Sequence, residues 1–459
     1  MNKILYWPVA ALLLFSIAAG AQQQQDWQIH EWGTFTSLQD ESGRAIGGIN
    51  TDDEPVPAFV HSYFPILPAA DVIPRQFNKG LPSCHPDVTM RLETPVIYFH
   101  PPEETPNGQS ASVNVRFRGG WLTQFYPDAV ADSPGLTNGF HLDANTIGTL
   151  EWDNLQIGGN WPLTNTTEHV WIAPRLVRAA AVRNSTGESE RFLFYRGVGH
   201  LDAPLRVSRD ADTGELSIHS QLENLPADRP LEIPGLWLVD IHSNGEIAFR
   251  TLPSLQLDRD SNEVLERTSG TFESKDYQRG NLQKLETSLK AALVEEGLFN
   301  DEAQALLNTW QVSYFKSPGM RVFFLCPRDW TDYYLPLHIS LPAQICRVMV
   351  GRIELITPSD RNKLQQLAAL SPTQVRDQSI RFMQTGTQHY QDMRLVFDGK
   401  KPFTDVVPFP ESYQTYLDLG RFRNALLLDE EKKRPAPGLS EFINDYGLHG
   451  YSVAETAQR

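Results

Sequence analysis

The sequence predicts a mainly β N-terminal part, resembling an antiparallel sandwich, followed by an α+β C-terminal part. Across residues 22–267, short runs rich in Val, Ile, Phe, Tyr and Trp recur between Gly, Pro, Asn and Asp, which is typical of strands and turns. From residue 268 to 459, apolar residues recur instead at helical spacing. A chain of 459 residues is long enough for two or three domains. We therefore predict a β-rich region over 22–267 and an α+β domain with several amphipathic helices over 268–459.

The first 21 residues have the pattern of a secretory signal peptide. Lys3 lies in a short leading segment, an apolar run covers residues 9–19, and Ala-Gly-Ala at 19–21 offers the small residues of a cleavage site. The apolar run is too short for a stable membrane helix, and glutamines follow it directly. An uncleaved anchor is the alternative. We expect a soluble chain, secreted or periplasmic after signal removal, without a transmembrane span in its mature part.

Two hairpins stand out in the β-rich region. Residues 176–182 and 191–195 flank an Asn-Ser-Thr-Gly turn, and residues 236–241 and 246–250 flank a Ser-Asn-Gly turn. Turn residues of this kind between two apolar runs are a strong hairpin signal. Several such segments in succession favour antiparallel sheets.

Helical spacing begins with four leucines at residues 282, 285, 289 and 293, and Gly297 is placed as the cap that ends this helix. Asn300 is expected to cap a second helix, with Asp301 and Glu302 in its first turn. The remaining predicted elements are strands over 321–326 and 345–356, helices that begin at Ser359 and at Ser371-Pro372, and a helical stretch over 411–433.

The chain contains only three cysteines, so at least one thiol has no intramolecular partner. Cys326 ends one strand-like run and Cys346 begins another, so a disulfide between them is expected if those strands are neighbours. Two buried free thiols are the alternative. Cys84, next to His85, then remains alone.

Charge and motifs exclude several classes of function. The chain has 56 acidic and 40 basic residues, which argues against nucleic acid or an anionic membrane as the main partner. GxSxG, GxxxxGK, CxxC and CxxCH motifs are absent from the sequence, so we expect no nucleotide and no haem. His30-Glu31 begins like a zinc-protease helix, but Thr34 stands where the second histidine belongs.

The first candidate site is the segment from His30 to Thr36. On a strand, alternate residues face opposite sides, so His30, Trp32 and Thr34 share one face while Glu31, Gly33 and Phe35 share the other. His30 is the candidate catalytic base and Glu31 the group that orients it. The alternative is a buried first strand with His30 hydrogen-bonded and Trp32 in the core.

An acidic cluster followed by His61 is the second candidate. Asp52 and Asp53 adjoin Glu54, and such repelling carboxylates persist when they are solvated or balanced by a cation. We therefore place a divalent cation at Asp52 and Asp53, with His61 as a ligand or a second candidate base. An exposed acidic loop without an ion is the alternative.

Two further candidates rest on single residues rather than on spacing. Cys84 and His85 could pair as a thiol and imidazole or bind a metal, although no second motif completes a four-ligand site. Three tryptophans beside turn residues are candidate platforms for sugar rings if exposed, and core residues if buried: Trp121, Trp152 and Trp161.

These candidates lead to two hypotheses of function. The first is an exported hydrolase that acts on an extracellular or periplasmic polymer or its fragments, with His and carboxylate groups and a divalent cation. It draws on the histidines of the N-terminal half, five of which precede residue 142: His30, His61, His85, His100 and His141. The second is a non-catalytic envelope protein that binds carbohydrate or serves in assembly. Both are compatible with the sequence.

Overall fold

In a computed structural model, the protein is described over residues 27–51, 55–63, 77–78, 81–82, 84–102, 108–136, 140–222, 225–226, 230–259, 263–397 and 409–450. Within these ranges, residues 77–82 and 385–397 are described by their backbone alone. The expected signal peptide and the candidate ligands Asp52 and Asp53 lie outside the described residues.

The described chain is rich in strands, and helices predominate toward its C-terminal end. The strands are β1 Trp27–Gln39, β2 His61–Ser62, β3 Phe77–Asn78, β4 Leu81–Pro82, β5 Met90–His100, β6 Gln109–Arg118, β7 Gly120–Tyr126, β8 Val130–Asp132, β9 Ile147–Ile157, β10 Val182–Arg183, β11 Ser189–Glu190, β12 Leu193–Gly199, β13 Leu205–Arg209, β14 Glu215–Ser220, β15 Leu231–Ile233, β16 Leu236–Ile241, β17 Ile247–Leu252, β18 Leu255–Leu257, β19 Val264–Ser269, β20 Gly319–Leu325, β21 Leu337–Ile339 and β22 Ala343–Leu355.

The helices are α1 His169–Ile172, α2 Asn281–Glu295, α3 Asn300–Thr309, α4 Gln311–Phe315, α5 Arg328–Tyr334, α6 Pro358–Ala368, α7 Pro372–Phe397, α8 Glu411–Leu417, α9 Arg423–Lys433 and α10 Pro437–Asp445. Short 3₁₀ turns occur at Pro174–Leu176 and Ser274–Asp276. Among the described residues, none of these helices combines the length and apolar character that crossing a membrane requires.

A mixed sheet of 15 strands organises the molecule, with the order β11-β10-β9-β7-β12-β5-β1-β22-β20-β16-β17 along its main path. The first strand, β1, lies at the centre and is buried on both faces. It pairs in parallel with β22 and antiparallel with β5. Smaller sheets are formed by β13-β14-β19, β15-β18 and β3-β4. The large sheet is mixed because of the β1–β22 pair, and the sandwich arrangement remains a prediction.

The large sheet contains strands from both sides of residue 267, where the sequence pattern changes from strand-like runs to helical spacing. Strands β20 and β22 follow residue 267, yet both hydrogen-bond within the same sheet as β1. The hairpin expected at the Ser-Asn-Gly turn is confirmed as β16–β17. At the Asn-Ser-Thr-Gly turn a hairpin is present, but its strands are the two-residue β10 and β11, because residues 174–176 form a 3₁₀ turn and residues 193–195 belong to β12, which pairs with β5 and β7. The C-terminal part therefore completes the central sheet in addition to supplying helices.

The two faces of β1 carry different layers, as the predicted alternation requires. Trp32 belongs to a core that includes α2 to α4, and we call this side of the sheet the helical face. Phe35 belongs to the core on the opposite side, where it packs against Trp330 with a ring separation of 5.0 Å. The alternation prediction for His30–Thr36 is therefore confirmed.

A second group of helices covers the far end of the helical face. Leu38, six residues beyond Trp32 on β1, packs in a core with Leu364, Leu427 and Phe442 from α6, α9 and α10. The helical face is thus covered at one end by α2 to α4 and at the other by α6 to α10. A seam lies where these two helical layers adjoin.

The predicted helices agree with the structure in type, but several of their ends differ. Phe299 caps α3 in place of Asn300, and the predicted stretch over 411–433 is interrupted by Gly420, whose φ of 80° lies in the left-handed region. The helix that begins at Pro372 has proline at its first position, as predicted.

The disulfide expected between Cys326 and Cys346 is absent, because both cysteines are free thiols. The strand register explains this result. Leu325 on β20 lies opposite Val350 on β22, so Cys326 lies beside Met349, whose carbonyl accepts its N–H. Cys346 is three residues further along β22, about 10 Å away at strand spacing, which is too far for a disulfide.

Candidate metal centre

Two histidines and a glutamate from three distant segments meet on the helical face. His30 lies on β1, His100 ends β5, and Glu302 lies in the first turn of α3. The pairing of His30 with Tyr98 across β1 and β5 places His100 diagonally beside His30 on the same face. His30 Nδ1 lies 2.7 Å from Glu302 Oε2, and His100 Nε2 lies 3.0 Å from Glu302 Oε1.

The start of α3 fixes the carboxylate. Glu302 Oε2 accepts the backbone N–H of Phe299 at 2.7 Å, which forms a capping interaction and holds the side chain toward the helix N-terminus. A negative charge is favoured there because the first N–H groups of the helix are unpaired. Asp301, the preceding residue, accepts the backbone N–H of Arg178 at 3.0 Å and so ties this helix end to the segment beside His100.

The site is almost entirely buried. His30 is 5% exposed, His100 8% and Glu302 0%. The ring of Phe299 packs on both imidazoles, with centroid separations of 4.5 Å to His30 and 4.8 Å to His100. Phe299 is itself 39% exposed, so its ring covers the histidines on the solvent side.

The hydrogen bonds of His100 leave a lone pair or a proton facing the carboxylate. A backbone carbonyl only accepts, so the 3.1 Å contact between His100 Nδ1 and Arg178 O requires a proton on Nδ1. A neutral His100 then directs the lone pair of Nε2 at Glu302 Oε1, which is repulsive. A cation between these atoms removes the conflict, and it is either a proton on Nε2 or a metal ion.

The surroundings keep Glu302 ionised. Burial acts to raise the pKa of the Glu302 carboxyl, but the hydrogen bonds from His100 and His30 outweigh burial and lower that pKa below its usual value. An ionised carboxylate with two imidazoles is a donor set suited to borderline metal ions such as Zn²⁺.

The arrangement meets the basic requirements of a metal site. One candidate ligand atom from each of His30, His100 and Glu302 lies within 4.8 Å of the others. The His100 Nδ1–H bond to a backbone carbonyl is the outer contact that metal-binding histidines usually make, because it fixes the tautomer that presents Nε2. Three protein ligands leave one position of a tetrahedral ion open.

Glu31, expected to orient His30, lies on the opposite face of β1. Its carboxylate accepts the Tyr195 hydroxyl and the Arg347 Nε–H, each at 2.5 Å, and Arg347 also donates to Asp332 at 2.7 Å. The expected His30–Glu31 pair is therefore wrong, because neighbouring residues on a strand point to opposite sides. The carboxylate that contacts His30 is that of Glu302 instead of Glu31.

His61 lies apart from the His30 cluster in its contacts. Its Nε2 is 2.7 Å from Glu188 Oε1, and its Nδ1 is 3.9 Å from Asp128. The side chain is 34% exposed and stacks on Phe125 and Tyr126. Among the described residues, His61 has no hydrogen bond or ring contact with His30, and a site shared with Asp52 and Asp53 remains a prediction.

Cys84 and His85 do not form a thiol–imidazole pair. His85 Nε2 is 2.7 Å from the Phe140 carbonyl, and its Nδ1 accepts the Asp87 backbone N–H at 3.2 Å, so both ring nitrogens are engaged with backbone. Burial raises the pKa of the Cys84 thiol, which disfavours the thiolate needed for catalysis or metal binding.

Two of the three candidate tryptophan platforms are core residues. Trp121 and Trp152 are 0% and 1% exposed, and their indole N–H groups donate to the carbonyls of Pro134 and Pro127 at 2.7 and 2.8 Å. They offer no face to a sugar ring. Trp161 is half-buried and lies 5.9 Å from the guanidinium of Arg183.

The sequence predicts a functional role for only one member of the cluster, His30. His100 is one of the histidines of the N-terminal half, and Glu302 is predicted in the first turn of a helix without a functional role. Glu302 is separated from His30 by 272 residues. Its contact with His30 depends on α3 folding back over the helical face.

Comparison with known proteins adds no function. No protein-family model matches the chain, and no curated protein matches it. Among solved structures, the Fcho1 Mu homology domain of Danio rerio with bound Eps15 peptide is similar at 10% sequence identity and a TM-score of 0.27, covering 72% of this chain and 97% of that chain. A likeness at this level identifies neither a common fold nor a common activity.

Proposed function

We propose that the protein binds one divalent transition-metal ion through His30, His100 and Glu302, and that it is an exported metal-dependent hydrolase. The observation that carries the metal proposal is the hydrogen bonding of His100. Its Nδ1–H is committed to the Arg178 carbonyl, and its Nε2 faces the Glu302 carboxylate at 3.0 Å. Zn²⁺ is the first ion to test because two imidazoles and one carboxylate match its preferred donors.

Metal-assisted hydrolysis is a reaction class that such a donor set serves. A divalent ion held by three protein groups has a position left for water, and the ion lowers the pKa of that water toward neutrality. His30, His100 and Glu302 hold the ion, while Phe299 excludes bulk water from the histidines. The proposed substrate is an extracellular or periplasmic polymer or its fragments.

A non-catalytic envelope protein is the second candidate, and the burial of the site favours it. With exposures of 5%, 8% and 0% at the three ligands, a polymer reaches the ion only if Phe299 moves. In this alternative, the ion fastens β1, β5 and α3 together, and its loss lowers stability without affecting any turnover.

Metal binding is tested on the purified full-length protein, by measuring metal content and titrating Zn²⁺ into the chelator-treated form. We expect one equivalent in the wild type and an affinity at least about 100-fold lower in Glu302→Gln, which keeps the side-chain shape but removes a charged ligand. His338→Gln, which replaces an exposed histidine on β21, is the matched control and keeps wild-type affinity. Absence of stoichiometric metal, or equal affinity in Glu302→Gln, contradicts the metal proposal.

The two functional candidates are separated by assaying metal-loaded protein with chromogenic esters, phosphodiesters and glycosides. The hydrolase proposal predicts turnover of at least one class, lost on chelation and in Glu302→Gln, and retained in His338→Gln. Phe299→Ala should raise turnover of a bulky substrate relative to a small one. A melting temperature that depends on the metal, together with no turnover in any class, favours the envelope protein.

A further inference from the structure

Four arginines are buried on adjacent strands of the central sheet, away from the candidate metal centre. Arg91 on β5, Arg196 on β12, Arg321 on β20 and Arg352 on β22 are each at most 2% exposed. Arginine is almost never buried to this extent without a paired anion. β12, β5, β1, β22 and β20 are consecutive in the sheet, so the arginines form a row that is interrupted only by β1.

The strand register places this row on the helical face. Thr36 of β1 lies between Arg91 on one side and Arg352 on the other. One step further along the same face, Leu38 lies beside Glu354, which in turn lies opposite Arg321. Because Leu38 packs under α6 to α10 and Trp32 packs under α2 to α4, the row follows the seam between the two helical layers.

Two glutamates and a fifth arginine complete a group that we call the arginine band: Arg91, Arg196, Arg321, Arg352 and Arg421, with Glu93 and Glu354. Glu93 forms an ion pair with Arg91 and accepts Arg421 Nη2 at 3.1 Å. Glu354 accepts Arg352 Nε at 2.5 Å and lies 3.5 Å from Arg321 Nε. The band as defined has five guanidinium groups and two carboxylates.

Arg352 presents donors that the described protein does not satisfy. One side of its guanidinium contacts Glu354, and its Cζ lies 4.4 Å from the centre of the Tyr314 ring. Its Nη1 is buried without a hydrogen-bond partner among the described residues. An unsatisfied buried donor of a charged group costs folding free energy, which an oxyanion at Nη1 would recover.

The positive charges also act on one another. Burial lowers the pKa of Arg321 to about 9, and the charges of Arg352 and Arg421 add to this effect against the attraction of Glu354. A bound anion near these groups relieves that repulsion. The lowered pKa of Arg321 is consistent with the closeness of these guanidinium groups.

A backbone irregularity lies at the same level of the sheet. The residue after Glu93 is Thr94, a β-branched residue with a φ of 49°, and the β1–β5 register shifts between Trp32 and Thr34. This shift allows both Glu93 and Val96 to face the helical side, although they are an odd number of positions apart on the strand. Conformations of this kind are unfavourable and are concentrated at functional sites.

Two members of the band border a cleft that is open to solvent and has a volume of about 850 Å³. Arg421 and Glu354 line the cleft, together with Gly319, Arg209 and Lys363. Its other acidic residues, Asp240, Asp360 and Asp418, already accept hydrogen bonds, from Tyr277 at 2.7 Å, from Thr357 at 2.6 Å and from Gln414 at 2.8 Å. Each of these carboxylates therefore has a hydrogen-bond donor before any ligand enters.

We propose that the arginine band is a binding site for an oxyanion, the carboxylate, sulfate or phosphate group of a small molecule or of an acidic polymer end that enters through this cleft. Guanidinium groups bind such oxygens in pairs with charge-assisted hydrogen bonds. Thr36 lies six positions after His30 on β1, a separation of about 20 Å, so this site is separate from the candidate metal centre. The proposal does not depend on the metal.

The test measures binding of phosphate, sulfate and acetate to the full-length protein by calorimetry and thermal melting, at constant ionic strength set with chloride. We expect saturable binding of at least one oxyanion. In Arg421→Gln its affinity falls at least about 10-fold, whereas Arg267→Gln, an exposed arginine on β19, leaves it unchanged. Arg352→Met provides a second variant, and Arg421→Gln carries the test if Arg352→Met does not fold.

Two further measurements identify the site and the source of the anion. Repeating the titration in Glu302→Gln with chelator removes any contribution of the metal centre, and the oxyanion must still bind there. Native mass spectrometry of protein purified without these salts distinguishes a retained organic acid from a free inorganic ion. Oxyanion effects no greater than those of chloride, or equal binding in wild type and Arg421→Gln, overturn the proposal.

Discussion

The buried pair of Glu31 and Arg347 shows how a single side chain depends on its partner. Glu31 is 0% exposed, and it accepts hydrogen bonds from Tyr195 and Arg347 on the side of the sheet away from His30. Burial raises the pKa of the Tyr195 hydroxyl well above its usual value, and the Glu31 charge adds to this effect. Tyr195 therefore remains a neutral donor, and Glu31 carries the negative charge that balances Arg347.

Glu31→Gln should destabilise the protein by about 3–5 kcal/mol, because it leaves the charge of Arg347 buried with Asp332 as its acidic partner among the described residues. Urea unfolding at neutral pH measures the change. A double variant, Glu31→Leu with Arg347→Met, removes both charges and should recover part of the loss. A Glu31→Gln protein as stable as the wild type contradicts this account of the pair.

At the level of single residues, the sequence predicts which residue types belong to the candidate site better than it predicts which residues contact one another. His30 was identified because it begins a strand with an acidic neighbour, and the alternation rule then correctly separated it from Glu31. The contacts of His30 with His100 and Glu302 could not be predicted from the sequence, because they require the β1–β5 pairing and the return of α3 over the sheet. Glu302 carried a signal as a first-turn acid, which by itself indicates only a helix start.

The end of β1 is fastened to α9 through Asp40. The carboxylate of Asp40 accepts Lys433 Nζ at 2.8 Å and the Ser42 hydroxyl at 2.6 Å. Burial acts to raise the pKa of Asp40, but these hydrogen bonds outweigh it and lower the pKa from 3.8 to about 2. A carboxyl with a lowered pKa in the folded state stabilises the protein above its unfolded pKa and loses this effect as the pH falls.

Asp40→Asn should therefore lower the free energy of unfolding at pH 7 by about 1 kcal/mol, since water screens part of an interaction near the surface. The difference between wild type and variant should shrink as the pH falls below 3.8 and disappear near pH 2. Denaturant unfolding across this pH range provides the measurement. Asp212→Asn, in an exposed turn, is the control, and a difference that does not depend on pH argues against the ion pair.

Among the elements, those with local signals were predicted and those that depend on distant pairing were not. The leucines of α2 and the proline that begins α7 correctly indicated helices. The parallel pairing of β1 with β22 joins Trp27 to Ala343, and no local pattern records such a contact. The same long-range pairing explains why the Cys326–Cys346 expectation failed, because adjacent strands were predicted without their register.

In the molecule as a whole, an apolar core on the helical face separates two chemically different regions. The His30 cluster lies at one end of β1 and the arginine band lies toward the other, with Trp32, Val96 and Val348 packed under α2 to α4 between them. The acidic net charge of the chain does not reveal this buried concentration of arginine. Its recognition required the register of five adjacent strands.

The central position of β1 predicts that the sheet does not form from the β-rich region alone. In the full chain, β22 pairs with β1 along its whole length, from Trp27↔Ala343 to Gln39↔Leu355, and β20 pairs with β22. A chain ending at residue 267 lacks both strands and the helices that cover the helical face. It would expose the edge of β1 together with Trp32 and Val96, and edges of this kind promote aggregation.

We expect residues 27–267 to be insoluble or aggregated when produced alone, and residues 27–459 to give a folded protein. Size-exclusion chromatography and near-UV circular dichroism, which reports on packed aromatic side chains, compare the two chains. Adding residues 268–459 as a separate chain during refolding should restore soluble complex if the strands reassemble. A monomeric 27–267 fragment with a cooperative melting transition would show that β1 is stable without β22, and that the region before residue 268 folds independently.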